Sequence, residues 1–309
     1  MPFVGEIEVS GLCLGANVFG WSADADQSFA VLDAFTGAQG TFIDTADSYM
    51  WRAPGNSGGE SETILGDWMA ARGNRDRMVI ATKVGSLPDR AGLGGENIKA
   101  ACEDSLRRLR TDHIDVYYAH KDDPDTAQEE TLDAFDALVK EGKVRVVAAS
   151  NFSAERLRSA LEISDRDGLV RFAALQPHYN LMERADYEAS LAPLLESEGL
   201  ASFPYYGLAA GFLTGKYRPG AAVDSVRSAG ASRYLDDPRG PAVLAVLDEI
   251  AAGHEVTQAA VALAWLAAQP TVTAPIASAR TVDQLQGILG MLTLALTDDE
   301  LRLLSHVTT

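Results

Sequence analysis

Four residues of the 309-residue chain offer the most direct chemistry: Asp44 and Tyr49 in "FIDTADSYMW" (42–51), Lys83 near the end of "MVIATKV", and His120 closing "IDVYYAH". A free phenol has a pKa near ~10 and gives up its proton reluctantly at neutral pH. A lysine ammonium beside it favours the phenolate and lowers that value. Asp44 would hold the ammonium by an ion pair, because a lone buried charge is costly. His120 could bond a substrate oxygen or tune the phenol. This set suits protonation of a carbonyl oxygen while another group attacks the carbon. No Ser–His–Asp or Cys–His arrangement is evident, so the expected attacker is a cofactor hydride.

For these four to meet, the chain must bring distant segments to one rim. Eight apolar runs of strand length recur: "GLCLGA", "TFIDT", "MVIATKV", "IDVYYAH", "VRVVAAS", "FAALQP", "LASFPYY" and "TVTAPIA". Several are apolar almost throughout, as parallel strands buried on both faces are. Amphipathic patterns separate them, such as "TAQEETLDAFDALVKEGK" with Leu132, Phe135, Leu138 and Val139 on one stripe. Capping boxes are expected at Thr126/Glu129, Ser57/Glu60, Thr281/Gln284 and Thr297/Glu300. The alternation predicts an α/β (β/α)8 TIM barrel, one domain over 1–309, with long loops at the C-terminal rim. An open doubly wound sheet is the other architecture the same alternation allows. "FVGEIEV" (3–9) reads as part of a short N-terminal hairpin closing the bottom. The Gly-, Ser- and Arg-rich stretch between "SFPYY" and Pro241 reads as a lid over cofactor or substrate.

In such a barrel, catalytic groups sit at the C-terminal ends of the strands. Those ends carry Asp44, Lys83, His120, Ser150 with Asn151, Gln176 and Tyr205, with Tyr49 in a loop just beyond. Trp21 and Trp51 follow the first two strands and are candidates for the substrate pocket beside Tyr49 and His120.

Over essentially its whole length the sequence resembles the aldo-keto reductase superfamily. The resemblance rests on "FIDTADSY", "VIATKVG", "DSLRRLRTDHIDVYYAH", "LQPHYNL", "GLAAGFLTGKY", "VTQAAVALAWLAAQP" and "APIASARTVDQL" taken together. It implies a barrel that uses NADPH (NADP+), usually as a monomer, to interconvert aldehydes or ketones and alcohols. It also implies a tetrad of Asp44, Tyr49, Lys83 and His120, with Tyr49 as general acid/base. Cofactor contacts are implied at Gly15 and Ala16, at Asp44, and at Ser150, Asn151 and Gln176 around the carboxamide. Tyr205 would stack on the nicotinamide. The loop carrying Gly207, Leu208, Gly211, Leu213, Gly215 and Lys216 would approach the pyrophosphate. Ser278, Arg280 and Gln284 would meet the 2′-phosphate and adenine. The chain departs from the usual pattern at Tyr206-Gly207, at Ile288 and at Asn17. The superfamily also includes NADPH-binding potassium-channel β subunits, so a regulatory subunit is a second reading. A barrel hydrolase using His120 and carboxylates is a third.

Composition narrows the partners to small molecules. The net charge of −18 and pI near 4.6 repel nucleic acid and anionic lipid at long range. No basic, apolar leader begins the chain, which is the expectation for a cytoplasmic protein. No apolar run approaches the ~20 residues of a membrane span. Cys13 and Cys102 sit in apolar patterns and read as reduced core residues. No His/Cys/Asp cluster has metal-ligand spacing, so no metal is expected. "GFLTGKY" is one residue short of a phosphate loop and lacks its Ser/Thr. Asp47 reads as turn chemistry and Asp122, Asp123 and Asp125 as a solvated loop.

Overall fold

The computed structural model describes residues 2–218 and 228–308. A two-stranded antiparallel hairpin comes first, β1 (Phe3–Val4) and β2 (Ile7–Glu8), so both arms of the hairpin lie within "FVGEIEV". Eight strands follow: β3 (Cys13–Gly15), β4 (Phe42–Asp44), β5 (Val79–Val84), β6 (Ile114–Ala119), β7 (Val144–Ser150), β8 (Ala174–Gln176), β9 (Ala201–Ser202) and β10 (Ile276–Ala277). They form one parallel sheet in the order β10-β3-β4-β5-β6-β7-β8-β9. All eight expected strands are present. The two ends of the sheet meet: Thr273 and Ile276 donate their amides to the carbonyls of Ser202 and Pro204, each at 2.9 Å. Ser202 returns its amide to Thr273 Oγ1 at 2.9 Å. The sheet is thus a closed (β/α)8 barrel rather than the open alternative.

The helices are α1 (Ala25–Gly37), α2 (Glu60–Arg72), α3 (Gly95–Leu109), α4 (Gln128–Lys140), α5 (Ala154–Asp167), α6 (Ala192–Glu198), α7 (Ser228–Ser232), α8 (Gly240–Gly253), α9 (Gln258–Ala267), α10 (Val282–Leu289) and α11 (Asp298–Val307). The lid expected between "SFPYY" and Pro241 falls partly on 219–227, outside the described residues. Before that gap, a 3₁₀ segment spans Ala209–Thr214.

Strand periodicity explains how the site is placed. Side chains alternate across each strand, so every second residue enters the barrel. The lower inward positions are apolar: Cys13, Phe42, Val79, Ala81, Val116, Ala148 and Ala174 pack with Val4, Ile7 and Val9 of the hairpin segment. The hairpin plugs the bottom, as expected. One or two positions further up, the same inward series reads Gly15, Asp44, Lys83, His120, Ser150 and Gln176. The register sets Gly15 beside Asp44, and Ser150 beside Gln176. A greasy barrel floor thereby carries a polar ring. The outer layer, between strands and helices, is a second apolar core that includes Trp68, Phe135, Phe172 and Trp265. Both cysteines are buried and free.

Candidate active site

Asp44, Tyr49 and Lys83 form a closed hydrogen-bonded triangle. Lys83 is fully buried. Its Nζ lies 2.7 and 2.8 Å from the two Asp44 oxygens, 2.7 Å from the Thr45 carbonyl and 2.6 Å from Tyr49 Oη. The three ammonium protons therefore meet a carboxylate, a carbonyl and a phenol. Tyr49 Oη accepts from Lys83 and donates to Asp44 Oδ2 at 2.8 Å. Gln176 Nε2 donates to the other Asp44 oxygen at 2.9 Å. The Tyr49 ring stands edge-on to His120 with centroids 6.0 Å apart. Ser48 Oγ lies 3.2 Å from His120 Nδ1.

The electrostatics of this triangle correct one expectation. The pull of Lys83 toward the phenolate is outweighed here. Burial pushes the phenol well above the usual tyrosine range, and the Asp44 charge and hydrogen bond push the same way. The physical reason is that Asp44 already neutralises the ammonium, and its carboxylate accepts the phenolic proton. Burial lowers the Lys83 pKa, against the opposing pull of Asp44. His120 drops to about 3, because burial disfavours the cation and Lys83 and Lys121 repel it. Tyr49 is thus held protonated and His120 neutral.

Above this floor opens a cavity of about 650 Å³. At one end Tyr49, His120, Ser150, Asn151, Gln176 and Tyr205 line it. Ser150 Oγ donates to the Gln176 carbonyl at 3.0 Å, and Asn151 Nδ2 donates to Ser150 Oγ and to the His120 carbonyl. Tyr205 Oη donates to Asn151 Oδ1 at 2.7 Å, while its ring stacks at 5.3 Å on His178. Gly15 and Asp44 line the same region. In the middle lie Gly207, Leu208, Gly211 and Lys216. Here Ala209, Ala210, Gly211 and Gly215 all have positive φ. Ala209 and Ala210 are non-glycine residues held in that strained region, and the amides of Ala209, Gly211 and Gly215 turn to the carbonyls of Tyr206, Leu208 and Phe212. At the far end Ser278, Arg280, Gln284 and Ile288 line the wall beside the N-terminus of α10.

Other expected positions sit differently. Lys83 acts from beneath Tyr49 rather than on the cavity wall, and Leu213 is buried in the outer core. Ala16 is buried, its amide donating to the Asp44 carbonyl at 2.8 Å. Gly215 lies behind the wall against Gln258. Gln284 receives the Arg280 amide at 3.0 Å, so it shapes the turn as well as lining the cavity. Trp21 and Trp51 are half-buried but are not among the residues that line this cavity, so the geometry does not bring them to it. Residues that sequence reasoning left unassigned also line it, among them Ser22, Thr214, Thr257 and Asp283. Their only signal was proximity to strand ends and helix starts. Asn17, noted as a departure, accepts from Ser278 Oγ at 2.6 Å. This joins the loops after the first and last barrel strands.

The cleft runs from a proton-donor cluster to the start of α10, where Arg280 and Asp283 both line it, and comparison with known proteins decides the family. The sequence profile described as the aldo/keto reductase family matches residues 11–308. The chain belongs to the aldo/keto reductase family. Among its relatives, Protein tas of Escherichia coli (strain K12) is 34% identical, covering 96% of this chain and 93% of its own. The Uncharacterized oxidoreductase YrpG of Bacillus subtilis (strain 168) is 33% identical over 97% and 93% of the two chains. The Norsolorinic acid reductase stcV of Emericella nidulans is 34% identical over 97% of this chain and 78% of its own. As an aldo/keto reductase, the chain is an oxidoreductase of that type, and no helix among the described residues is long and apolar enough to cross a membrane.

Proposed function

We propose that this chain is an NADPH-dependent reductase of aldehydes or ketones, reversible as an alcohol dehydrogenase, with Tyr49 as general acid and base. The observation that carries the reading is the Lys83–Tyr49–Asp44 triangle beside neutral His120 on the floor of the cleft. Bound in the cleft, the nicotinamide would supply a hydride to the carbonyl carbon. Ser150, Asn151 and Gln176 would orient its amide, and Lys216 and Arg280 would meet its phosphates, Arg280 with a planar fork suited to a 2′-phosphate. The start of α10 adds its dipole to that end.

Tyr49 Oη gives its proton to the carbonyl oxygen as charge develops there. Lys83, 2.6 Å away, then stabilises the phenolate, its one positive charge being shared between the phenolate and Asp44. A Ser48 hydroxyl donating to His120 Nδ1 leaves the proton on Nε2, free to donate to the same oxygen. Relatives named a norsolorinic acid reductase and an aryl-alcohol dehydrogenase support carbonyl–alcohol chemistry.

Tyr49→Phe tests the reading. Turnover of a generic aldehyde is expected to fall by at least ~100-fold, the usual contribution of a positioned acid. NADPH binding, read by fluorescence quenching, should stay nearly unchanged. A variant with the wild-type rate rules Tyr49 out as the donor.

A further inference from the structure

Asp47 lies two residues before Tyr49, is 1% exposed, and neither of its carboxylate oxygens has a hydrogen-bond partner of standard geometry. It opens a turn, as expected, and its carboxyl is buried there. Its surroundings explain why this matters. Lys83 on β5 is spent on Asp44, Thr45 and Tyr49. Arg108 on α3 is spent on Glu62 of α2, at 2.6 Å, and Thr82 of β5 donates to the same carboxylate. The Tyr117 phenol of β6 faces this group with no hydrogen bond of its own. Buried Lys83 and half-buried Arg108 thus serve three buried carboxylates, and Asp47 is the one left over.

The segment that Asp47 begins is a closed loop. The Gly59 amide donates to the Asp47 carbonyl at 2.7 Å, so residues 47 to 59 leave and return at one point. Gly59 has φ +86, and a Cβ there would lie 2.3 Å from the Arg108 side chain. Only glycine lets the loop's base seat directly on the guanidinium that holds Glu62. The same loop carries Tyr49 and Ser48, the partner of His120.

We propose that Asp47 is a positioning residue: its neutral carboxyl lets loop 47–59 seat against Glu62 and Arg108, and its ionisation loosens that seat and with it Tyr49. An ionised Asp47 would add a second anion beside Glu62 in a region water does not reach, at the full desolvation cost. The direction of its acidity agrees: burial, then Glu62, lift the carboxyl to about 7 from 3.8, with Ser48 and Arg108 pulling weakly the other way. The sign follows. Between 3.8 and about 7 the seated form keeps a proton that a released loop would give up, so rising pH disfavours seating across that window. Tyr49 lies well above it and His120 near 3, so neither titrates there.

The catalytic arm of this inference rests on Tyr49 being the proton donor; the structural arm does not. Trp51 lies within the loop and reports on it without cofactor or substrate. Its emission, isolated by difference against Trp51→Phe, is followed from about pH 5 to 9 in wild type and in Asp47→Asn. Wild type is expected to show a one-proton transition no higher than about 7. Asp47→Asn should lose it and keep the low-pH spectrum throughout. In turnover, kcat should fall across the same transition in wild type only, with KM for NADPH unmoved. Equal titration in both proteins overturns the proposal. Should Asp47→Asn fail to fold, the wild-type carboxyl is read by ¹³C NMR. A midpoint in the ordinary aspartate range overturns the proposal, and one near 7 supports it. A Tyr49→Phe enzyme that retains turnover removes the catalytic arm while leaving the Trp51 transition in place.

Discussion

At the scale of single residues, the tetrad is an exercise in charge pairing. Asp44 and Lys83 are 2% and 0% exposed in their side chains, so each is tolerable only because of the other. Removing one partner of a buried pair strands the other charge and typically costs about 3–5 kcal/mol, whereas removing both charges together is often close to neutral. Lys83→Met is therefore expected to lower stability by about 3–5 kcal/mol in urea unfolding. The double variant Lys83→Met/Asp44→Asn should recover most of that loss and none of the turnover. Recovery of activity in the double variant would contradict the role given to Lys83. Asp44, Lys83 and His120 stood out at strand ends and Tyr49 in the loop beyond, and the resemblance to the aldo-keto reductase superfamily is what joined the four into one set. The acidity of Tyr49 was not legible in the sequence, because it depends on which partner neutralises Lys83, and that is a matter of angstroms.

At the scale of elements, the strands were legible because continuous apolar runs admit few other fates. Helix starts were less so. Thr297 and Glu300 form the expected capping box, with Glu300 Oε2 accepting the Thr297 amide at 2.7 Å. Thr281 caps α10 alone, Gln284 having turned to the Arg280 amide. Ser57 and Glu60 make half of a box, because α2 begins after Gly59. Thr126 and Glu129 make none: α4 begins after Ala127, and Thr126 is held at 2.7 Å by Asp123. The competitor was that carboxylate, which also accepts the Leu93 amide at 2.7 Å, so the expected solvated acid loop is partly a structural latch. Asp122 likewise pairs with Arg156 at 2.8 Å. A box at Asp24 and Gln27 went unread. Thr297→Ala should thus cost about 1 kcal/mol. Glu129→Ala, at an exposed ion pair with Arg166 and with no capping role, should stay within about 0.5 kcal/mol. Both are read from urea midpoints, and a larger loss for Glu129→Ala would restore the rejected cap.

At the scale of the whole molecule, the layers divide labour. The hairpin and lower barrel supply an apolar plug, the upper ring supplies polar groups, and the cleft runs outward past β3, β10 and the loop after β9 to α10. The barrel's closure lies under that same cleft. It rests on the handful of bonds that join Ser202 and Pro204 to Thr273 and Ile276. Gly207 and Leu208 follow one side of this join and Ser278 and Arg280 the other, so one extended ligand would touch both. A bound dinucleotide would then act as a clasp on the barrel's girth, its binding energy added to the weakest circumferential contact. Amide exchange should show it: Thr273 and Ile276 are expected to slow more on addition of NADPH than Ile80 on the far side of the barrel. In that sense the enzyme's readiness to open would be set by whether it is loaded, and a pool starved of cofactor would be the one exposed to proteolysis.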